Sequence, residues 1–270
     1  MTRLFAALCL MLGFTLTGAS AQPAPPNAMG VTMGHWHMNS KDIEANKKLL
    51  VTMGGVYTKN GNFDLVKFPG VVVFLNQGPG TPPATGGTVG TVVNHVGFLV
   101  PNVQQSITKW RAAGITVEPG GNGRMDQAFV TTPDGMRIEI LEDKDQTVPI
   151  KNHHVHFYVP EDQIPKIQAW YGKVFGAKPG MRGTNVAADI PGVNLSFSKA
   201  TGPTVPTKGH TLDHIGFDVT NLEAFCKKLQ AMGIPFDRPY TKNKDTGAAL
   251  AFIHDEWGTS IELNERPKPL

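Results

Sequence analysis

The sequence predicts an α+β fold assembled from four copies of one small unit, and three observations predict it. Four segments begin alike: His35-Trp36-His37-Met38, His95-Val96-Gly97-Phe98, His154-Val155-His156-Phe157 and His214-Ile215-Gly216-Phe217. The spacing from His35 to His95 equals that from His154 to His214, 60 residues each. After each start comes a stretch with helical apolar spacing, then short runs with strand alternation.

Each opening strand alternates. Val96, Phe98 and Val100 share one face, as do Val155, Phe157 and Val159, and Ile215, Phe217 and Val219. Side chains of a strand point alternately to its two sides, so the histidines take the other face. That face carries His35, His37 and Asn39; His95, Gly97 and Leu99; His154, His156 and Tyr158; and His214, Gly216 and Asp218. His153 falls on the apolar side.

Seven residues after each leading histidine stands a polar residue suited to cap a helix: Asp42, Asn102, Glu161 and Asn221. Asp and Asn accept hydrogen bonds from the unpaired N–H groups of a first turn. Glu161 does this poorly, so Asp162 is expected to serve in the third unit. Val103, Ile107 and Trp110 then mark one helical face, and Leu222, Phe225 and Leu229 another. Gly54, Gly114 and Gly233 stop three helices; the third runs further, through Trp170 and Tyr171 to Gly176. Cys226 sits on such a helix and reads as packed.

Two or three strands close each unit. Ala128–Thr132 and Met136–Ile140 are separated by Pro133-Asp134-Gly135, and Ala249–Ile253 and Thr259–Leu263 by Asp255-Glu256-Trp257-Gly258. Gly- and Pro-rich stretches at 78–90 and 201–209 divide the units within each half. Two domains follow, at 28–146 and 149–265, each of two units. In the closing strands Glu139 and Glu262 point the same way as the histidines. A carboxylate set among aliphatic neighbours is costly to bury without a cationic partner.

Composition agrees with this reading. Charged residues are 17% and hydrophobic ones 40%, with 14 Phe to fill a core, so the chain is not disordered. Gly (30) and Pro (21) are too frequent for a coiled coil. A net charge of +3 without a basic run excludes nucleic acid as the expected partner. Residues 1–21 have the layout of a signal peptide: Arg3, an apolar run from Leu4 to about Leu16, and Ala19-Ser20-Ala21, with cleavage before Gln22. No second apolar stretch is long enough for a membrane span. The expectation is an exported protein, periplasmic or secreted. Cleavage removes Cys9 and leaves Cys226 alone, so no intramolecular disulfide supports the fold.

Pairing consecutive units brings together His35, His95 and Glu139 in the first half and His154, His214 and Glu262 in the second. Two imidazoles and a carboxylate suit a divalent ion such as Zn, Fe, Mn, Co or Ni. They also leave coordination positions open for a small-molecule substrate. His37, His156 and Tyr158 are candidate catalytic groups on the same face, and Arg137 and Tyr158 candidate substrate-binding groups.

Together the His-x-x-x-x-Val starts of three units, the cap at plus seven, the Gly-stopped helix and Asp255-x-x-Gly258-x-x-Ile261-Glu262-Leu263 resemble the vicinal oxygen chelate superfamily. It includes glyoxalase I, extradiol dioxygenases, fosfomycin-resistance enzymes and bleomycin-binding proteins. The resemblance implies βαβββ units, two per curved mixed sheet, with helices outside and a metal within. It implies that His154, His214, Glu262, His35, His95 and Glu139 match ligand positions. Glyoxalase I usually has a second glutamate, and this chain has Phe74 and Ser196 at the corresponding places. Dioxygenases place a His and a Tyr shortly before the ligand Glu, whereas His254, Tyr240 and Phe252 here do not match that spacing. The resemblance thus implies a metalloenzyme that polarises vicinal oxygens by isomerase, lyase or dioxygenase chemistry. The alternative is a protein of the same fold that binds or sequesters a small compound without chemistry.

Overall fold

A computed structural model describes residues 23–75 and 81–267. The leader expected at 1–21, and part of the 78–90 linker, lie outside the described residues.

The first unit runs β1 (Val31–Met38), α1 (Ile43–Met53), β2 (Val56–Asn60), β3 (Phe63–Phe68), β4 (Val71–Phe74). The second is β5 (Val93–Val100), α2 (Val103–Ala112), β6 (Val117–Pro119), β7 (Gln127–Thr131), β8 (Arg137–Glu142). The third is β9 (Lys151–Val159), α3 (Ile164–Phe175), β10 (Lys178–Arg182), β11 (Asn185–Ile190), β12 (Val193–Lys199). The fourth is β13 (Leu212–Val219), α4 (Leu222–Ala231), β14 (Arg238–Lys242), β15 (Ala249–His254), β16 (Ser260–Glu265). All four are βαβββ units, and they form two eight-stranded mixed sheets.

Three caps form as the sequence predicts. The side chains of Asp42, Asn102 and Asn221 accept from the backbone N–H of Ala45, Gln105 and Ala224. The third unit differs: neither Glu161 nor Asp162 caps α3. Glu161–Gln163 form a 3-10 turn that leads into the helix, and no side chain bonds to its first turn. Pro165 in that turn has no N–H to satisfy, so the demand for a cap is smaller. At the far ends, Gly176 turns left-handed (φ 69°) to close α3, and Gly54 caps α1 with its N–H on Leu50 and Val51. Among the described residues no helix is long and apolar enough to cross a membrane.

The pairing of units differs from the sequence expectation. One sheet has the order β14-β15-β16-β13-β1-β4-β3-β2, which joins the first and fourth units. The other is β10-β11-β12-β9-β5-β8-β7-β6, which joins the second and third. Trp36 of β1 stands opposite Ile215 of β13, and Val96 of β5 opposite Val155 of β9, both antiparallel. Consecutive units pack back to back instead. Trp36 and Phe68 of the first unit lie 5.2 and 4.6 Å from the ring of Phe98 in the second. Phe175 of the third unit lies 4.9 Å from Phe217 of the fourth. The apolar faces of the two sheets thus belong to one continuous core, and their histidine faces point away from each other. The linkers interlock across the molecule: Val92 N–H donates to Val205, and Thr211 N–H to Gly86.

Two carboxylates further stitch consecutive units together. Asp134, in the turn before β8, accepts from the N–H of Lys41 and Asp42 and from Asn46 Nδ2 at the start of α1. Asp255, in the turn before β16, accepts from the hydroxyl of Tyr171 on α3. Cys226 is buried on α4, as its position on the apolar stripe predicts.

Candidate metal centres

Sheet pairing sorts the six predicted ligands into new sets. His95, Glu139 and His154 gather on the β5–β9 sheet with His156; His35, His214 and Glu262 gather on the β1–β13 sheet with His37. In each group the ligating atoms lie within 4.8 Å of one another. The predicted sets His35/His95/Glu139 and His154/His214/Glu262 do not form, because consecutive units occupy different sheets.

The two clusters are built alike. On β9 and β5, His154 faces Gly97 and His156 faces His95, while Glu139 of β8 flanks Gly97 from the other side. On β1 and β13, His35 faces Gly216, His37 faces His214, and Glu262 of β16 flanks Gly216. Both glycines matter for space: a Cβ on Gly97 would overlap the ring of His154, and one on Gly216 the ring of His35. The strand with two histidines therefore needs a partner with His-x-Gly.

On the β5–β9 sheet, Glu139 Oε2 lies 2.9 Å from His154 Nε2 and 3.3 Å from His95 Nε2, and His95 Nε2 is 3.1 Å from His156 Nδ1. The proton positions follow from the outer partners. Asn94 Oδ1 can only accept, so it takes the Nδ1 proton of His95 at 2.9 Å. Asn185 Oδ1 accepts from Ser198, so Ser198 in turn accepts the Nε2 proton of His156 at 2.8 Å. Burial lowers the basicity of both rings, to about 2 for His156, so each is neutral with one proton. The ring nitrogens turned toward each other then both present lone pairs. Glu139 Oε2 and His154 Nε2 are buried and make no well-directed hydrogen bond despite their proximity. Burial works against the Glu139 carboxylate, yet the two imidazoles hold it well below the usual carboxylate range. Four atoms able to ligate converge here, Glu139 Oε2, His154 Nε2, His95 Nε2 and His156 Nδ1, the last within 3.3 Å of Arg182 Nη2, a donor set that fits a cation.

The other cluster satisfies itself with protons. Asp213 accepts the Nδ1 proton of His214 at 2.7 Å, the carboxylate–histidine arrangement that orients a ligand. Burial opposes a charge on His214, but Asp213 and Glu262 overcome it and push its pKa up to about 9. Its Nε2 then donates to Glu262 Oε2 at 2.9 Å. Arg266, paired with Asp218, sits 3.3 Å from His35 Nδ1 and can only donate there. That leaves the His35 proton on Nε2, directed at Glu262 at 3.1 Å. A cation entering this cluster must displace both protons and move Arg266.

The surroundings differ as well. A cavity of about 730 Å3 opens on the β5–β9 cluster, lined by His95, Glu139, His156, Tyr158, Arg182 and Ser198 among others. Over the β1–β13 sheet a cavity of about 630 Å3 is lined by Asn60, Arg238, Leu250, Asn264 and Arg266, and the histidines are not in its wall. Aromatic rings cover them: Phe74 stacks on His37 at 4.9 Å, and Phe252 lies 5.2 Å from His214.

The other sequence candidates fall as follows. Phe74 stands beside His37 and Ser196 beside His156 in the strand register, the positions where glyoxalase I would have its second glutamate. Ser196 accepts from Arg182 Nε at 2.6 Å. Tyr158 lines the open cavity. Arg137 shares that face, but its guanidinium pairs with Glu118 at 3.4 Å and lies over Phe129. His254 is bonded to Asp237 at the surface. His153 departs from its predicted face and lines the cavity, with Nδ1 3.0 Å from His154 Nδ1. The register jumps from His154 to Asn152 along β5, and this bulge at His153 turns its ring over. Arg182 and Gln127, which bonds Glu139 Oε1, were not expected from the sequence. Arg182 lies on the one βαβββ strand of its unit that has no clear alternation, so only its approach to Glu139 in space marks it.

Residues 152–263 match the sequence profile of the Glyoxalase/Bleomycin resistance protein/Dioxygenase superfamily. No curated protein matches. Glyoxalase I from Zea mays superposes with a TM-score of 0.67 at 16% identity, over 87% of this chain and 92% of that one. A putative dioxygenase from Bacillus subtilis superposes with a TM-score of 0.63 at 14% identity, over 89% and 86%. At these identities the likeness is one of fold.

Proposed function

We propose, for a chain that belongs to the Glyoxalase/Bleomycin resistance protein/Dioxygenase superfamily, that its two His/His/Glu clusters hold divalent metal ions and that the open one acts on a small oxygen-bearing substrate. His95, Glu139 and His154 would hold the first ion, with His156 beside it; His35, His214 and Glu262 would hold the second, with His37 beside it. The observation that carries this reading is the convergence of buried ligand atoms, above all Glu139 Oε2 and His154 Nε2, which make no well-directed hydrogen bond.

Such an ion supplies Lewis acidity toward a carbonyl or enediolate oxygen. The chain supplies the rest. Asn94 holds the His95 ring with Nε2 toward the cluster. His156 is neutral, with Nδ1 toward the cluster and Nε2–H on Ser198, whose hydroxyl bonds Asn185, so its ring is held in a fixed orientation beside the ion. The hydroxyl of Tyr158 stays protonated, because burial raises its pKa, and it donates from the cavity wall. The ligand set, opening on a cavity with the Tyr158 hydroxyl in its wall, favours isomerase, lyase or dioxygenase chemistry over passive sequestration.

Metal analysis of the purified protein tests the reading. The expected result is up to two ions per chain, with one lost in His154→Ala or Glu139→Gln. Less than about half an ion per chain, unchanged in these variants, overturns it. The signal-like start at 1–21 further supports an exported enzyme, which N-terminal sequencing of the mature protein from the periplasm or medium would test by a start at Gln22.

A further inference from the structure

The wall of the open cavity contains a cation beside the cluster. Arg182 ends β10 and turns inward over the β5–β9 sheet. Ser196 accepts from its Nε at 2.6 Å, and Nη2 stands 3.3 Å from His156 Nδ1. These contacts fix the plane of the guanidinium and leave other N–H groups toward the cavity. Its nearest carboxylate oxygen is Glu139 Oε2 at 3.9 Å, beyond hydrogen-bond reach. Glu139 is committed to the cluster.

The charge balance of the cavity floor follows. A divalent ion with one carboxylate leaves a single positive charge, and Arg182 adds another. At the rim Arg124 and Asp126 cancel in a bidentate pair, and Glu142 stands 3.6 Å from Lys144 and accepts from the N–H of Val103. Around Arg182 the wall offers the hydroxyls of Tyr158 and Ser198 and the side chain of Asn185. The twofold-related cavity serves as an internal comparison. The position matching Arg182 at the end of β2 is Asn60, and the arginine nearest that cluster, Arg266, is neutralised by Asp218.

We infer that Arg182 makes the open cavity a site for a small organic anion, a carboxylate or a phosphonate. Its charged oxygen would lie on the guanidinium and a neighbouring oxygen would face His95, Glu139 and His154. This rests on the metal reading above and assigns the substrate class for that site. Arginine suits the task because its planar fork binds oxyanions through paired N–H groups and stays charged even when partly buried. Burial lowers its pKa, but from a value far above neutrality.

The experiment separates the two claims. The full protein and its Arg182→Gln and Arg182→Lys variants are loaded with cobalt(II), dialysed and assayed for metal. They are then titrated calorimetrically with lactate, hydroxymethylphosphonate and the neutral lactamide. Cobalt uptake tests the metal reading alone. The expected result is equal cobalt in all three proteins and at least about tenfold tighter binding of one acid than of lactamide by the parent. The acid bound more tightly tells carboxylate from phosphonate. That preference should vanish in Arg182→Gln and return in part in Arg182→Lys. Cobalt-loaded parent protein that binds both acids no better than lactamide, or an Arg182→Gln variant that keeps the preference, overturns the inference. If no cobalt is taken up, the same titrations of metal-free protein decide it: an acid preference lost in Arg182→Gln supports it, and equal binding overturns it.

Discussion

Glu139 and His154 come from different halves of the chain, yet Glu139 Oε2 lies 2.9 Å from His154 Nε2. The equivalent relation in the other sheet joins His35 and Glu262, 227 residues apart in sequence. Each cluster therefore spans the two halves, and metal loss should follow the sheets. His95→Ala, Glu139→Gln and His154→Ala should each remove the same ion, and His35→Ala, His214→Ala and Glu262→Gln the other. The clusters should also fill in order. The β5–β9 cluster opens on a cavity and lacks the charged imidazole that His214 brings to the other, so the first equivalent of metal goes there, and His154→Ala removes the tighter of two binding phases in a titration. A His214→Ala variant that lost the tighter phase instead would contradict this order. At a free metal concentration of 100 times the dissociation constant, each filled site should stabilise the fold by about 2.7 kcal/mol.

The two glycines at the clusters make a matched pair of tests. A methyl group at position 97 would displace the ring of His154, and one at 216 the ring of His35. Gly97→Ala should therefore lower metal affinity at the β5–β9 cluster by an order of magnitude or more and leave the other untouched, since a ligand ring moved off its ion forfeits most of that bond. Gly216→Ala should do the reverse. Isothermal titration of each variant against the parent protein measures both phases. A Gly97→Ala protein with unchanged affinity in both would show that His154 can ligate from another rotamer.

Much of this arrangement was legible in the sequence, and the part that was not has a definite cause. Strand alternation placed His35, His95, His154, His214, Glu139 and Glu262 on cluster faces, because period two leaves no choice of side. It does not say which strand lies next door. A His-x-His strand needs a His-x-Gly neighbour, and β1 could find one in β5 or in β13, since His95-Val96-Gly97 and His214-Ile215-Gly216 are alike. Burial decides between them: Trp36, Phe68 and Phe98 cover one another only when consecutive units lie back to back. His153 escaped for a different reason, because a bulge breaks the alternation on which its predicted side depended. Arg182 left no signal at all, since its significance is its distance to Glu139 across a sheet.

Asp134 should matter more than a turn residue usually does. Its carboxylate takes the N–H groups of Lys41 and Asp42 and the amide of Asn46, and so satisfies the start of α1 from the neighbouring unit. Negative charge at a helix N-terminus adds to those bonds. Asp134→Ala should cost about 1–2 kcal/mol, as loss of a helix cap does. For a chain of this size that is a fall of roughly 2–8 °C in Tm. Asp134→Asn should retain part of it, because its Oδ1 still accepts. Calorimetric melting of the metal-free proteins gives the comparison, and equal Tm values for Asp134→Ala and the parent would remove Asp134 from the set of contacts that hold the two sheets together.

Asp255 makes the corresponding contact in the second half but is fully enclosed, and this gives it a pH signature. Burial raises its carboxyl pKa, only partly offset by hydrogen bonds from Thr259, Tyr171 and Trp257. The folded state thus holds the proton more tightly than the unfolded chain. Stability from this group is complete below the ordinary carboxylate pKa and is lost as pH rises through the folded value, by about 1.4 kcal/mol for each unit of elevation. Asp255→Asn keeps the geometry: Oδ1 still accepts from the N–H of Thr259 and Trp257, and Nδ2 can donate to the Tyr171 hydroxyl. It cannot ionise, so relative to the parent it should gain stability between pH 4 and pH 7. Urea unfolding of both proteins at the two pH values isolates the effect, because every other titrating group cancels in the difference. A variant that loses ground to the parent as pH rises would mean that Asp255 is stabilised as the anion, held by its three hydrogen-bond donors against the cost of burial.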